Sequence, residues 1–427
     1  MKIVSTLLVT LFAVARAEVE VTGKDLDDQL RLVPNANYVP HQPSIHVPYS
    51  KHGYVYGGNY DLEGLITRQE KFMTPPQAVL DELRSDNITD KWEVDCLAAP
   101  NANCTFDKKP IIGILTQPVG TDKKDTFNYN DYILEINDNF VRWAGSKTVA
   151  IPYDISEDNL TEMLRQVNGV LFTGGGLHMI NETTGEQHPY YKTAKQVMQY
   201  SKYMKDVKNQ TWPVLGICQG LEVVSLIQSG DDMSVLDEIF MYGENRNVSW
   251  ASNASHSQLW GTFPEYLREA MEDHKLSLHA HSFSVSVPTF HRTSLDETMT
   301  ITQTDNYTLA NMSRSSFVDS MEAKNYPIYV TMYHPEYQLL DFTGPKMWSL
   351  ASHTENKKFT DEIAFRLSLK LNRDARTNTN KVSEGQTQTF MEIHGVSRVP
   401  AQDYPMVPGL NVMAYGYQAQ QSGSNIE

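Results

Sequence analysis

A cysteine stands at a sharp corner between a predicted strand and a predicted helix. The apolar run 213–217 leads to Cys218, and apolar residues resume at helical spacing from Leu221 onward. Gly216 and Gly220 flank this corner and permit the strained backbone that exposes a side chain at the tip of a sheet. The N–H groups and the dipole at a helix N-terminus favour a thiolate, which is the nucleophile that acyl transfer needs. The pattern therefore predicts that Cys218 is a catalytic nucleophile.

A histidine followed two residues later by a glutamate supplies the matching base. His334 and Glu336 come directly after the apolar run 327–333, which we predict to be a strand. In a Cys-His-Glu arrangement the imidazole takes the thiol proton and later gives it to the leaving amine, while the carboxylate orients the imidazole. Taken alone, one of 13 histidines would more often be structural. Its pairing with Cys218 makes His334 the candidate base.

A glycine-rich turn, residues 173–176, follows another predicted strand at 169–172. Attack of a thiolate on a carbonyl forms an oxyanion, which needs fixed hydrogen-bond donors. The backbone N–H groups of Gln219 and Gly175 are our candidates, and Gly174 and Gly176 are candidate substrate-binding residues. A phosphate cradle is the weaker interpretation, because no Gly-Lys-Ser/Thr pattern follows the turn.

The chain has three cysteines, and its N-terminus has the parts of a secretory signal peptide. Lys2, an apolar run at 3–14 and small residues before Glu18 lead us to predict a signal peptide at 1–17. Cys96 and Cys104 lie close together in a polar segment and are the natural disulfide pair, which leaves Cys218 as the odd, reactive thiol. A buried, inert Cys218 is the alternative.

Sequons for N-glycosylation support an oxidising compartment. They occur at Asn87, Asn103, Asn159, Asn181, Asn209, Asn247, Asn253, Asn306 and Asn311. We therefore expect a glycoprotein that is secreted, extracellular or lysosomal/vacuolar.

A formal net charge of −16 argues against nucleic-acid binding, since phosphates require a basic face. No apolar run after the signal peptide approaches the length of a transmembrane helix. His279 and His281 lie on one face of a predicted strand and could bind zinc, but no carboxylate or thiol accompanies them at metal-site spacing. We therefore predict no metal and no cofactor.

Strand-like runs alternate with helical stripes through the middle of the chain. Strands are predicted at 109–115, 147–153, 169–172 and 213–217 with helices at 133–144, 160–167 and 191–205 between them, then strands at 277–287, 298–303, 315–321 and 327–333 and a helix at 355–371. This alternation indicates an α/β fold with a mostly parallel sheet flanked by helices. The later strands are expected to extend that sheet, and the site is expected at the carboxyl ends of the strands.

The same patterns divide the chain into four segments. They are a signal peptide at 1–17, an N-terminal extension at 18–107, a catalytic domain at 108–372 and a polar C-terminal tail at 373–427. The N-terminal extension packs on the core, masks the site or forms a plain surface arm, and the last is favoured. The tail is expected to be flexible, apart from short apolar patches around Met406 and Met413 that are able to dock.

The motifs Phe172-Thr-Gly-Gly-Gly176, Gly216-Ile-Cys-Gln-Gly220 and His334-Pro-Glu336, in this order and spacing, are similar to those of the class I glutamine amidotransferase-like fold. Within that fold, residues 108–371 most resemble the gamma-glutamyl hydrolase family. The resemblance implies a flavodoxin-like three-layer sandwich and hydrolysis of gamma-linked glutamate from folate polyglutamates through a thioester. It implies Cys218 as nucleophile, His334 as base and Glu336 as the orienting carboxylate.

The resemblance also matches His281 to a family histidine near the site, and so implies that His281 contacts substrate. Because a gamma-glutamyl tail carries carboxylates and the chain is acidic, we expect a protonated His281 to bind one of them in an acidic compartment. The substrate is expected to be a small gamma-glutamyl compound or peptide, and a homodimer is left open. Two alternatives remain: a non-catalytic glycoprotein of the same fold with a binding or assembly role, and a glutaminase domain of an amidotransferase.

Overall fold

The computed structural model describes residues 76–77, 79–81, 110–118, 131–308, 314–339, 353–381, 397–400 and 411–415. The strands are β1 (Ile111–Leu115), β2 (Gln117–Pro118), β3 (Asp131–Leu134), β4 (Lys147–Ile151), β5 (Gly169–Phe172), β6 (Val214–Ile217), β7 (Asp237–Arg246), β8 (Ser249–Trp250), β9 (Ser277–Ser284), β10 (Met299–Thr308), β11 (Arg314–Ala323), β12 (Ile328–Thr331), β13 (Ser397–Pro400) and β14 (Asn411–Tyr415). The helices are α1 (Glu135–Trp143), α2 (Glu157–Leu164), α3 (Pro189–Asp206), α4 (Gln219–Gln228), α5 (Glu265–Asp273), α6 (Val287–Arg292), α7 (Leu295–Thr298) and α8 (His353–Ala375).

The central sheet has eight strands in the order β4-β1-β5-β6-β12-β11-β10-β8. The first five run parallel, and β11, β10 and β8 continue the sheet with antiparallel pairing. Every residue of β1, β5, β6 and β12 is buried, as expected for parallel strands covered by helices on both faces. The predicted α/β class with a mostly parallel sheet is confirmed.

Helices α1 and α8 pack together against this sheet. Their apolar faces meet where the rings of Trp143 and Phe365 make an edge contact, with centroids 5.2 Å apart. The hydroxyl of Ser368 donates to the carbonyl of Phe140 at 2.6 Å and ties the two helices at a buried point. Helix α1 ends as predicted at Gly145, whose φ of 88° suits glycine and stops the helix.

The run predicted as a strand at 277–287 does not extend the central sheet, and this expectation is wrong. Its strand β9 pairs instead with β7 in a separate antiparallel ribbon. The sequence analysis did not predict β7, because its charged and polar residues interrupt the apolar alternation. With β7 as its partner, β9 crosses near the carboxyl ends of the parallel strands, where the backbone N–H of His334 donates to the carbonyl of Leu278 at 2.8 Å.

The chain beyond residue 372 also contributes to the fold. Strand β14 pairs antiparallel with β13 and with β3, and β3 pairs with β2, which gives a second, four-stranded sheet. The side-chain amide of Asn378 donates to the carbonyl of Asn168 at 2.8 Å, so the segment after α8 is fastened beside β5. The described part of the predicted tail is therefore bound to the catalytic unit.

Several sequence-based predictions lie outside the described residues. These are the signal peptide at 1–17, most of the extension at 18–107, the Cys96–Cys104 pairing, the region around Met406, and the sequons at Asn87, Asn103 and Asn311. Among the helices that the structure describes, none is long and apolar enough to cross a membrane.

Candidate active site

Cys218 occupies a strained corner between β6 and α4. Its φ is 53° and its ψ is −106°, which places a non-glycine residue in the left-handed half of the backbone map. Glycine is needed at both flanking positions, because other backbone atoms come too close there to leave room for a Cβ. A Cβ at Gly216 would lie 2.8 Å from the backbone carbon of Gly220, and a Cβ at Gly220 would lie 2.8 Å from the carbonyl oxygen of Phe172. The predicted nucleophile elbow therefore has a steric reason for both glycines.

Three parallel strands end beside one another and bring the candidate residues together. Strand β6 leads to Cys218, its neighbour β12 leads to His334, and its other neighbour β5 leads to the glycine turn. A Cβ at Gly174 would lie 2.6 Å from Cε1 of His334 and 3.5 Å from Cβ of Cys218. Cys218 and the imidazole of His334 therefore lie against the same glycine, at the predicted edge of the sheet.

His334 and Glu336 form a buried ion pair. Nδ1 of His334 lies 2.8 Å from Oε1 of Glu336, and each side chain is only 1% exposed. The ring of Tyr337 packs edge-on against the imidazole, with centroids 4.9 Å apart. This pairing leaves Nε2 as the imidazole nitrogen available for proton transfer, which is the tautomer that a base next to Cys218 requires.

Burial and nearby charges set the proton affinity of the pair. Burial raises the pKa of the Cys218 thiol above its ordinary value, and the charge of His334 offsets this only in part. Burial lowers the pKa of His334, but the thiolate of Cys218 and the carboxylate of Glu336 outweigh it and raise that pKa to about 10. The N-terminus of α4 was expected to favour the thiolate. It does not offset burial, so the pKa of the resting thiol stays above its ordinary value. Once the thiol ionises, however, the imidazole keeps its proton.

The candidate oxyanion donors lie on either side of the thiol. Gln219 is the first residue of α4, so its backbone N–H has no carbonyl partner within the helix. The turn that holds Gly175 follows β5, and its backbone lies against side-chain atoms of Gln219 and Gln117. The assignment of these two N–H groups as oxyanion donors stays a prediction.

A pocket adjoins the ion pair and the glycine turn. It is lined by Gln117, Tyr132, Leu134, Asn137, Thr173, Gly174, Gly175, His334, Glu336 and Tyr337. Of the predicted site residues, Gly174, Gly175, His334 and Glu336 line the pocket, whereas Gly176, Cys218, Gln219 and His281 are not among its lining residues. The substrate-binding and oxyanion roles stay predictions. The sequence analysis did not select Gln117. The usable signal was its position just after β1, since the carboxyl ends of neighbouring parallel strands meet at one edge.

His281 belongs to a second buried cluster. Its Nε2 lies 3.2 Å from Nδ1 of His279, and Nε2 of His279 lies 3.3 Å from Oδ1 of Asp319. Burial, with the charge of His334, lowers the pKa of His281 to about 3, and burial lowers the pKa of His279 well below its ordinary value. Burial and the lowered pKa argue against a protonated His281 that binds a substrate carboxylate, since the residue is only 2% exposed, and its contact with substrate stays a prediction.

The remaining site predictions concern metals and glycans. Within the described residues, no group of histidine, cysteine, aspartate and glutamate side chains has the arrangement of a metal site. Five sequon asparagines lie exposed on the surface, namely Asn159, Asn181, Asn209, Asn253 and Asn306, and Asn247 is partly exposed. Their glycosylation stays a prediction.

The sheet order and the cysteine elbow define an α/β protein with a cysteine at the carboxyl edge of a mostly parallel sheet. The Peptidase C26 family model matches residues 110–336, which include the elbow and the ion pair. The chain belongs to this family. Together with its curated relatives, the family makes the chain a hydrolase of the cysteine peptidase type.

Two curated proteins that this chain resembles are both named gamma-glutamyl hydrolases. Gamma-glutamyl hydrolase B of Dictyostelium discoideum is 27% identical over 233 residues, which cover 54% of this chain and 64% of that protein. Gamma-glutamyl hydrolase of Rattus norvegicus is 26% identical over 245 residues, which cover 56% of this chain and 72% of that protein. A solved glutamine amidotransferase from Thermotoga maritima covers 63% of this chain and 98% of its own at 14% identity, with a TM-score of 0.35. The match therefore spans just under two thirds of the Dictyostelium protein.

Proposed function

We propose that the chain hydrolyses gamma-glutamyl bonds with Cys218 as nucleophile, His334 as acid and base, and Glu336 as the orienting carboxylate. One observation carries the proposal. Cys218 and the buried His334–Glu336 pair both lie against Gly174, and that glycine and the pair line a pocket. The gamma-glutamyl class of substrate comes from the curated relatives.

The proposed reaction has two halves. The thiol gives its proton to Nε2 of His334 and the sulfur attacks the gamma-carbonyl carbon, while the N–H groups of Gln219 and Gly175 hold the oxyanion. The carbon–nitrogen bond then breaks, His334 protonates the leaving amine, and a thioester remains on Cys218. Water, deprotonated by His334, attacks the thioester and releases the glutamyl product as a carboxylic acid, which then loses its proton to solvent. The thiolate regains its proton from His334, so atoms and charges balance.

The Glu336 carboxylate supports both halves of this cycle. It accepts the hydrogen of Nδ1 at 2.8 Å and faces the imidazolium that forms when the thiol ionises. Both side chains are excluded from water, so their attraction is screened less than it would be at the surface. The carboxylate therefore holds the ring orientation and stabilises its charged form.

The substrate is proposed to be a folate polyglutamate or a related gamma-glutamyl peptide. Among the described residues that line the pocket there is no lysine or arginine. Recognition of the substrate's alpha-carboxylates is then left to amide and hydroxyl donors such as those of Asn137 and Thr173. We also propose a secreted or lysosomal location with glycans on exposed sequons, which agrees with the N-terminal signal pattern.

The decisive assay compares gamma-linked and alpha-linked substrates. Purified full-length protein is incubated with pteroylpentaglutamate, gamma-glutamyl dipeptides, alpha-diglutamate and free glutamine, and products are identified by mass spectrometry. Cleavage confined to gamma-linked peptides, and lost in Cys218→Ala, supports the proposal. Turnover of glutamine alone would favour a glutaminase. No turnover of any of these compounds by the folded wild type would favour a non-catalytic glycoprotein.

A further inference from the structure

Gln117 joins the two sides of the candidate oxyanion site. It lies on β2, is 4% exposed, and its Nε2 is 3.2 Å from the carbonyl oxygen of Gly174 and 3.2 Å from Oε1 of Gln219. The hydroxyl oxygen of Thr173 is a third acceptor at 3.3 Å. One side-chain amide therefore holds the glycine turn and the first residue of α4 at once.

The Gln219 side chain completes this connection. Its Oε1 accepts from Gln117, and its Nε2 donates to the carbonyl of Leu177 at 3.2 Å, beyond the far end of the turn. Gly175 lies between the two amides, since a Cβ there would be 2.5 Å from Oε1 of Gln219 and 2.6 Å from Nε2 of Gln117. The turn is thus fastened at both ends and touched in its middle.

The sheet alone does not fix this turn. The pairing of β5 with β6 ends at Phe172 and Gly216. Gly175 and Gln219 lie three residues beyond those positions, where no ladder hydrogen bond sets their separation. Oxyanion donors work only when held about 2.7–3.1 Å from the position that the oxyanion takes up. The side-chain amides of Gln117 and Gln219 lie between the glycine turn and the start of α4, where a constraint on the donor positions is needed.

We infer that Gln117 is a positioning residue that holds the N–H groups of Gly175 and Gln219 in register for the oxyanion. The inference deepens the proposed function and rests on its nucleophile, but not on the identity of the substrate. Because Gln117 acts on the charged intermediate, its loss lowers the rate of acyl transfer to Cys218 and leaves the thiol's reactivity toward other electrophiles unchanged.

Gln117 also lines the pocket, so a direct contact with substrate is the competing explanation. Such a contact would act in ground-state binding and raise KM with kcat unchanged. Positioning of the oxyanion donors acts in the transition state and lowers kcat with little change in KM. The two explanations therefore differ in a measurable quantity.

Two substitutions separate the donor from the shape of the side chain. Gln117→Met keeps the length and removes the amide, and Gln117→Glu keeps the shape but turns acceptors toward the carbonyl of Gly174 and Oε1 of Gln219. Gln228→Met is the matched control, since Gln228 is a buried glutamine at the other end of α4 whose Nε2 faces the sulfur of Met299. Circular dichroism confirms that each variant is folded.

The readout compares two reactions of the same thiol. Acetylation of Cys218 by p-nitrophenyl acetate passes through an oxyanion, whereas alkylation by iodoacetamide does not. Both rates are followed on the Cys218 peptide by mass spectrometry, and the full-length Cys218→Ala variant gives the background. We expect both Gln117 variants to acetylate roughly 10- to 100-fold more slowly, below the loss of about 10²–10³ for removing a donor itself. Their alkylation should change less than about threefold, and Gln228→Met should match wild type in both reactions.

Three outcomes overturn the inference. Equal losses in acetylation and alkylation would mean that Gln117 affects the thiol, and unchanged acetylation would mean that it positions nothing. A raised KM for a gamma-glutamyl substrate with kcat unchanged would assign Gln117 to substrate binding. A failure of the proposed function can be distinguished from a failure of this inference. If no gamma-glutamyl compound is cleaved but acetylation still falls in the Gln117 variants, the substrate class is wrong and the positioning role stands.

Discussion

The sulfur of Cys218 donates its hydrogen to the backbone carbonyl of Ala280, 3.7 Å away. Ala280 lies on β9, and β9 also holds His334, whose backbone N–H donates to the carbonyl of Leu278. The ribbon of β7 and β9 thus supports both the resting thiol and the base. The resting site holds a thiol bound to a carbonyl, and this hydrogen bond must break before the thiol gives its proton to the imidazole.

The raised pKa of His334 predicts the alkaline limit of activity. The imidazolium must protonate the leaving amine while the sulfur is bonded to the acyl carbon and carries no charge, so turnover should fall with rising pH at a pH below the pKa of about 10 that the thiolate helps to set. Glu336→Gln removes one of the two charges that raise this pKa, and we expect its alkaline limb at lower pH, with a kcat loss of roughly 10²-fold or more. Profiles of kcat between pH 5 and pH 11 test this, with folding checked at each pH. Coincident alkaline limbs would exclude Glu336 as the partner of His334.

The close approach of Gly174 predicts a purely steric block. Gly174→Ala places a methyl group 2.6 Å from Cε1 of His334, so the imidazole or the turn must shift. A displacement of this kind misaligns the base and the thiol, and we expect kcat to fall roughly 10²-fold. Gly185→Ala is the control for backbone strain away from the thiol, because its Cβ position is open but its φ of 71° strains an alanine, and both variants are checked for folding. Wild-type kcat in Gly174→Ala would show that the turn tolerates the shift and that its geometry is not restrictive.

The parts of the site that sequence could predict share a local signal. Cys218, Gly174 and His334 each follow an apolar run directly, and parallel strands bring their carboxyl ends to one edge whatever their order in the sheet. Their residue types then suggest the chemistry without any knowledge of packing. The central parallel sheet was predictable for the same reason, since its buried strands are continuous apolar runs.

The parts that sequence could not predict depend on pairing between distant residues. Strand β7 is rich in polar residues, so its own sequence does not indicate a strand. It is recognised only by its pairing with β9. Strand β14 lies in a polar tail, yet Met413 pairs in register with Ile133, far away along the chain. Gln117 has no motif of its own, and its role follows from three contacts made by one amide. In each case the decisive contact is long-range, which periodicity does not record.

The neutral state of His281 predicts that substrate affinity does not follow its titration. With its pKa lowered to about 3, the ring stays uncharged from about pH 4 upward. We therefore expect KM for a gamma-glutamyl substrate to have the same pH dependence in wild type and in His281→Gln between pH 4 and pH 8. Steady-state kinetics over this range test it. A KM that rises through pH 6 in wild type, and a flat profile in the variant, would restore the carboxylate-binding role that the sequence suggested.

From the raised pKa of Asp319 we predict that the free energy of unfolding falls as pH rises. It is fully buried beside His279, and burial and the charge of Asp305 raise its pKa well above the ordinary value, against the smaller lowering by Arg246. The folded state therefore keeps a proton that the unfolded state releases above about pH 4. Between that pH and the folded-state pKa, the folded chain binds more protons, so the free energy of unfolding declines with rising pH.

Asp319→Asn should remove this decline, because an amide keeps a neutral donor and acceptor beside His279 and does not ionise. We expect the variant to be more stable than wild type at pH 7, with a difference that shrinks toward pH 4. Urea unfolding at both values measures it, and Asp154→Asn, a change at an exposed aspartate, is the control. A variant that is less stable than wild type at pH 7 would mean that Asp319 is ionised and paired with a protonated His279. That result would also reassign His281, since a charged His279 lies 3.2 Å from its ring.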